Sequence, residues 1–460
     1  MLFFTVSYFV FFFCTITCFY LAPVKLRIPL LLAASYFFYM SWNWKFAPLL
    51  LTLTTIDYLA AIWIEQSRHR RWALVVSLAS NLGFLAVFKY YNFAASNVAA
   101  LLGLPHQRFY FDIVLPLGIS FHTFQSISYV VDVYRGQQKA IRKPLDYALY
   151  IAFFPQLVAG PIVRARDFFR DLYDWHAPSS EDIKRGGFLV ALGLAKKVAL
   201  ADNFALVSDR YFASVASQPG GAAAWGAVFA FAMQIFFDFS GYTDMAIGFA
   251  RLLGFHFPVN FRQPYLAVSV TDFWRRWHIS LSSWLRDYLY IPLGGNRHGK
   301  LQTYRNLMIT MLLGGLWHGA NWNFVIWGGY HGLLLSLERL LGQAKHRERT
   351  WTFFDVPRAV LTFVLVCTGW VFFRAGSVHD AALVISRMAQ MPRGEWPIEP
   401  ALMMLTAAGL IVALVEERVP LLEAVERAPS WVAASCLGML LFVVELFGVD
   451  ANIPFVYFQF

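Results

Sequence analysis

Charge is what this chain has least of. Only 14% of its 460 residues are Asp, Glu, Lys or Arg, while 58% are apolar or aromatic; soluble domains carry roughly 25% charged residues. That excludes a soluble globular protein, because one aqueous core stops growing near ~250–300 residues and the surplus apolar surface would face water. Cysteine is equally scarce. Cys14, Cys18, Cys367 and Cys436 all lie in apolar stretches and none forms a C-x-x-C. No disulfide framework or thiolate metal site is therefore implied, and no metal or resident cofactor is expected. The sequence also lacks a repeat of fixed period, a low-complexity tract and a linker long enough to separate domains. One membrane-embedded domain over 1–460 is the economical organisation.

What is present is aromatic and apolar: 45 Phe, 21 Tyr and 16 Trp. Residues 2–22 form a continuous apolar run without a basic start, longer than the ~7–15-residue core of a signal peptide, and read as a retained transmembrane helix. Further spans are legible at 28–44, 46–64, 72–90, 112–133, 187–208, 222–240, 306–317 continuing to 340, 357–373, 401–417 and 430–448. That makes ten or eleven crossings of an all-α, polytopic membrane protein. The 38 Lys and Arg exceed the 28 Asp and Glu by ten, but they sit in short runs between apolar stretches. Such runs signal membrane orientation, not nucleic-acid binding. Lys25 and Arg27, then Arg68, Arg70 and Arg71, then Arg135, Lys139, Arg142 and Lys143 follow the odd spans. The N-terminus and the 94–107 loop are accordingly expected outside, and 65–71 and 135–143 inside.

Two stretches break this pattern. Residues 149–175 hold Pro155, Gly160 and Pro161, and residues 237–297 mix Asp238, Asp244, Arg275, Arg276, His278, Arg286 and Asp287 with aromatics. Charges that dense do not face acyl chains, so interfacial or re-entrant helices are expected there. An ionisable group inside an apolar span is a functional-site hypothesis by default. His318 is one, set in Trp317-His318-Gly319-Ala320-Asn321-Trp322. A hydrogen-bonded imidazole that merely pins two helices is an even alternative. His278 lies among Trp274, Trp277 and Trp284, which on their own read as an interfacial belt. A belt, however, needs no Asp287. His331 and His122 lack comparable polar surroundings and read as structural.

Five blocks in order, LPLGISFHTFQSISYVVDVYRG (115–136), FFPQLVAGPIVRARDF (153–168), FFDFSGYTDMAIGFARLLGF (236–255), NFRQPYLAVSVTDFWRRWHISLSSWLRDYLYIPLGG (260–295) and LWHGANWNFVIWGGYHG (316–332), cover most of the chain. Together they resemble the membrane-bound O-acyltransferases, in particular the bacterial branch that O-acetylates alginate and other polysaccharides. His122 stands where that pattern has an apolar or aromatic residue. The resemblance implies a ring of about ten to twelve transmembrane helices, with re-entrant and interfacial helices, around a tunnel. Donor would enter from the cytoplasmic face and acceptor from the other. It also implies that His318 is the catalytic histidine and His278 its supporting partner, within a catalytic core at 149–345 flanked by N-terminal helices (1–148) and by C-terminal helices with an aromatic tail (346–460). The chemistry suits the residues. Neutral imidazole, with a pKa near 6.5, removes a hydroxyl proton and contributes about 10²–10⁴-fold. Asn321 could orient a ring or carbonyl, Asp238 and Asp244 could fix a tautomer, and these with Trp317 and Arg276 are expected to line the tunnel. Arg164, Arg166, Arg275, Arg276 and Lys300 could meet coenzyme A phosphates, although most such groups are anchors.

The expected function is O-acetyl transfer at the bacterial inner membrane, from a cytoplasmic thioester donor, acetyl-CoA, towards an extracytoplasmic polysaccharide such as alginate, cellulose or peptidoglycan. Membrane lipid, the polysaccharide and a secreted esterase-like (SGNH-type) transferase are the expected partners. The rival is a transporter or flippase for a lipid-linked glycan or small solute; the paired broken helices typical of transporters are not seen in the sequence. The closing stretch Asn452 to Phe460 is apolar and aromatic and is expected to be docked. Its Phe-x-Tyr-Phe-x-Phe pattern resembles the tyrosine-bearing tail of bacterial acyl-export systems. Tyr457 is thus a candidate acyl relay, with a membrane-surface anchor as the plain alternative.

Overall fold

The computed structural model describes residues 1–218, 220–342, 351–390, 394–449 and 453–456. Among these residues every regular element is a helix. The chain divides into two compact units: Met1–Pro178 with Phe249–Pro258, and Ser179–Gly248 with Val259–Phe460.

Five helical stretches among the described residues are long and apolar enough to cross a membrane, or six if the bent pair Pro400–Glu416 and Leu421–Arg427 is one span. The other expected crossings are merged, short, polar or broken. Spans 28–44 and 46–64 are one helical stretch, Val24–Gln66, joined through a 3-10 turn at Trp44–Phe46. Val6–Leu21 is apolar but only 16 residues long, about 24 Å at 1.5 Å per residue against a hydrocarbon core of about 30 Å. Residues 112–118 are not helical, and the helix begins only at Ile119. Span 187–208 is interrupted by a π-helical turn, Lys196–Ala201, that carries Lys197 into the protein interior and leaves Lys196 partly exposed.

In the first unit, a buried polar cluster joins two of the helices. Asp57 of Ala47–Gln66 is fully buried and accepts from Ser77 Oγ at 2.5 Å and Asn81 Nδ2 at 2.8 Å of Arg70–Leu85. Buried polar atoms persist only when hydrogen-bonded, so this cluster fixes one pairing of the two helices. Around Phe154, the rings of Tyr8, Phe11, Phe12 and Phe38 supply the apolar packing.

The second unit holds the segments expected to carry the chemistry. The apolar run 306–340 is a helical hairpin: Lys300–His318 turns at 319–321 and returns as Trp322–Leu340. Asn321 makes the turn decisive, its side chain accepting from Asn323 N at 3.0 Å to cap the second helix. Glycines let the two arms touch backbone to backbone: a Cβ at Gly315 would strike the Phe324 carbonyl, and one at Gly328 the Met311 carbonyl. Val356–Arg374 packs on this hairpin, tied by Asn323 Nδ2 to Ala375 O at 2.7 Å and by Tyr330 Oη to Leu365 O at 2.9 Å. Trp277, Trp327, Trp370 and Phe373 fill the core between these elements.

Candidate active site

His318 is the last residue of its helix and ends in the aromatic core, only 7% exposed. Three rings meet its imidazole edge-on: Trp317 at 4.9 Å, Trp327 at 5.0 Å and Phe373 at 5.1 Å between centroids. The hairpin explains this placement, because the chain must reverse directly after residue 318 and leaves the imidazole at the end of a rigid element. Rings on three sides exclude water, which raises the strength of any electrostatic interaction made there.

His278 separates two seven-residue helices, Val270–Arg276 and Ile279–Leu285, and is fully buried. Its backbone is left-handed, φ 43°, a conformation that costs a non-glycine residue roughly 1–2 kcal/mol. The surroundings impose it. Arg262 N donates to Arg276 O and Ile279 N to Asn260 O, both at 2.9 Å, so residues 260–262 clamp the break from one side. Glu338, near the end of the hairpin, accepts from Thr271 N at 2.8 Å and Thr271 Oγ1 at 2.7 Å and caps the helix leading into it.

That clamp also determines the proton on the ring. Asn260 Oδ1 accepts from Ser280 N at 3.0 Å and Ser280 Oγ at 2.9 Å, and lies 3.2 Å from His278 Nδ1. A backbone N–H can only donate, so the Asn260 atom is its oxygen, and Nδ1 must carry the hydrogen it presents to that oxygen. In the neutral ring the lone pair is then on Nε2. Phe239 packs edge-on against the imidazole at 4.7 Å, and Trp317 lies 6.3 Å away. Trp317 is therefore a ring that meets both histidines.

The remaining expected site residues are placed as follows. Trp317 lies within ring-contact distance of both imidazoles, 4.9 Å from His318 and 6.3 Å from His278 between centroids. Asn321 is exposed and engaged in the helix cap. Asp244 pairs with Lys196 at 2.7 Å, and Asp238 with Lys197 at 2.9 Å; the group facing His278 Nδ1 is Asn260 instead. Arg276 is paired with Asp272 at 3.0 Å and with Glu417. Tyr457 lies outside the described residues, but the segment just before it, Ile453 to Val456, is docked: Phe455 and Val456 are buried, and Phe455 stacks on Tyr242 at 4.8 Å. Sequence reasoning missed Asn260, which no spacing rule connects to a histidine 18 residues away. It also gave no weight to His331, whose ring meets the far side of the core at Trp327, 4.9 Å between centroids. Among the described residues no group of three or more His, Cys, Asp or Glu side chains is placed to hold a metal ion.

Two buried imidazoles beside one indole suit proton transfer in a dry site, and comparisons with known proteins show the family of the chain. The family model of the membrane-bound O-acyltransferases matches residues 137–379, which include His278, His318 and Asn260. The chain is 43% identical over 388 residues to "Probable alginate O-acetylase AlgI" of Pseudomonas putida, covering 83% of this chain and 78% of that one. It is 38% identical over 390 residues to the peptidoglycan O-acetyltransferase of Helicobacter pylori, covering 78% and 73%. It is 29% identical over 287 residues to the teichoic acid D-alanyltransferase of Bacillus subtilis, covering 57% and 69%. With its apolar spans and its match over more than half its length, the chain belongs to the membrane-bound O-acyltransferase family and is a multi-pass O-acyltransferase.

Proposed function

We propose that this protein takes an acetyl group from acetyl-CoA on the cytoplasmic side of the bacterial inner membrane and passes it outward for O-acetylation of a polysaccharide such as alginate, cellulose or peptidoglycan. The observation that carries the reading is the buried His318 imidazole caged by Trp317, Trp327 and Phe373. In this mechanism His318 removes the proton of an acceptor hydroxyl, and that oxygen attacks the thioester carbonyl. The new C–O bond forms, the C–S bond breaks, and the proton passes to the departing coenzyme A sulfur. His278, with its lone pair on Nε2, supports the same reaction by accepting a hydrogen bond. The relatives named for alginate and peptidoglycan favour a polysaccharide as final acceptor. Membership of an acyltransferase family favours the enzyme over the transporter alternative.

The first acceptor in this scheme is the Tyr457 phenol. Its pKa near 10 makes it easier to deprotonate than a sugar alcohol, and the aryl acetate stays activated for a second transfer. An SGNH-type partner outside the membrane then moves the acetyl group to the sugar hydroxyl and regenerates the phenol. The test is peptide mass analysis of purified protein given acetyl-CoA and no partner. One acetyl group on Tyr457, absent from Tyr457→Phe, is expected; the absence of both acetylation and thiol release would refute the reading.

A further inference from the structure

The geometry points to Lys197, Asp202 and Asp238 as a receptor that reads the backbone of residues 453–456 and thereby sets the position of the acyl-accepting residue that follows. This inference rests on the relay reading of Tyr457 and goes beyond it by naming the groups that hold the relay in place.

Three charged side chains meet inside the second unit where none should be without strong cause. Lys197 lies 2.8 Å from Asp202 Oδ1 and 2.9 Å from Asp238 Oδ1, and all three side chains are 5% exposed or less. Burying charges costs several kcal/mol per ion before pairing, and two carboxylates to one ammonium leave a surplus of acceptors. The docked segment answers that surplus. Val456 donates its backbone N–H to Asp238 Oδ2 at 2.6 Å, and Ile453 O accepts from Lys197 Nζ at 3.2 Å. An ammonium has three protons, and three acceptors stand within reach. The cluster thus holds one N–H and one C=O three residues apart, so it reads the backbone of this segment rather than its side chains.

The side-chain anchor is Phe455. It stacks on Tyr242 at 4.8 Å and meets Phe239 edge-on at 6.0 Å. Phe239 in turn packs against His278 at 4.7 Å. Asp238, Phe239 and Tyr242 all belong to Gly221–Leu252, so one helix holds the docked segment and touches the supporting histidine. A single ring separates Phe455 from His278. Asp238 and Lys197 are positioning residues in this scheme: they act on the segment, not on the acetyl group.

The experiment compares full-length Asp238→Ala, Asp238→Asn and Phe455→Ala with the parent, reading carboxypeptidase trimming past residue 456 by intact mass, acetylation of Tyr457 from acetyl-CoA, and melting temperature in detergent. Asp238→Ala leaves Lys197 paired with Asp202 and removes both the acceptor of the Val456 N–H and the second carboxylate on Lys197. Trimming should accelerate about tenfold, as expected for one lost hydrogen bond to a charged group. Acetylation of Tyr457 should fall about a hundredfold through misplacement. Asp238→Asn keeps an oxygen for that N–H and should restore most of both. Phe455→Ala should give the same two losses without touching a charge, which decides the matter should Asp238→Ala fail to fold. Parental trimming in both alanine variants would overturn the receptor. Full polysaccharide acetylation by Tyr457→Phe would instead overturn the relay, and leave the trimming result to judge docking on its own.

Discussion

Asn260 presents its side-chain oxygen to His278 Nδ1 at 3.2 Å, and the same oxygen is fixed by the backbone N–H of Ser280 at 3.0 Å. One amide thus fixes both the tautomer and the orientation of a buried imidazole, a task often given to a carboxylate. An amide does it without placing a charge beside the ring, so it offers no counter-ion to a second proton on the ring.

It follows that Asn260→Ala should lower kcat for acetyl transfer by about 10–100-fold, the usual cost of losing a group that orients a functional histidine. KM for acetyl-CoA should change little, since Asn260 makes no contact with the donor in the proposed mechanism. Steady-state thiol release checks both constants, and an unchanged kcat would remove Asn260 from the site.

The hairpin that delivers His318 depends on close backbone approach. Gly328→Leu places a side chain where the Met311 carbonyl stands, and overpacking of this kind costs about 1–3 kcal/mol or more. A clear drop in melting temperature in detergent is expected, together with lost activity. An exposed glycine such as Gly409, whose Cβ would meet nothing within 4 Å, should tolerate Ala without either effect.

Orientation is testable by labelling single cysteines from outside the cell, after Cys14, Cys18, Cys367 and Cys436 are replaced. His69 and Leu102 are both exposed. Leu102→Cys should label and His69→Cys should not if 65–71 lie in the cytoplasm, as the Lys/Arg asymmetry of the sequence predicts. The reverse pattern would invert the donor side.

Much of this site is legible in the sequence because ionisable groups are rare in the chain. His318 and His278 stand out as imidazoles within apolar, Trp-rich runs, and the structure puts one indole, Trp317, against both. The hairpin turn at 319–321 is not legible, because hydropathy sums apolarity along 306–340 and does not register a reversal made by Gly319 and an Asn321 cap. The acids escape the sequence for a related reason. Asp238 and Asp244 are expected near an imidazole, but Lys197 and Lys196, hidden in the apolar stretch 187–208, take them up. Asn260 and Val456 act through contacts made across 18 and 218 residues of chain, which local pattern does not encode.

Full polysaccharide acetylation in cells should be lost in Tyr457→Phe while membrane insertion persists, since the substitution keeps the apolar ring and removes only the hydroxyl. Acetate content of the purified polymer, with protein level by immunoblot, measures both. Parental acetate content would leave the segment as an anchor.

The most direct test is coenzyme A release from acetyl-CoA by the purified protein beside His318→Gln, which keeps hydrogen-bonding capacity but cannot take up a proton at neutral pH. The expected result is release by the parent and a loss of about 10²–10⁴-fold in the variant, the range for a missing general base, at similar yield and melting temperature. Equal release by the two proteins would contradict the assignment of His318 as the base.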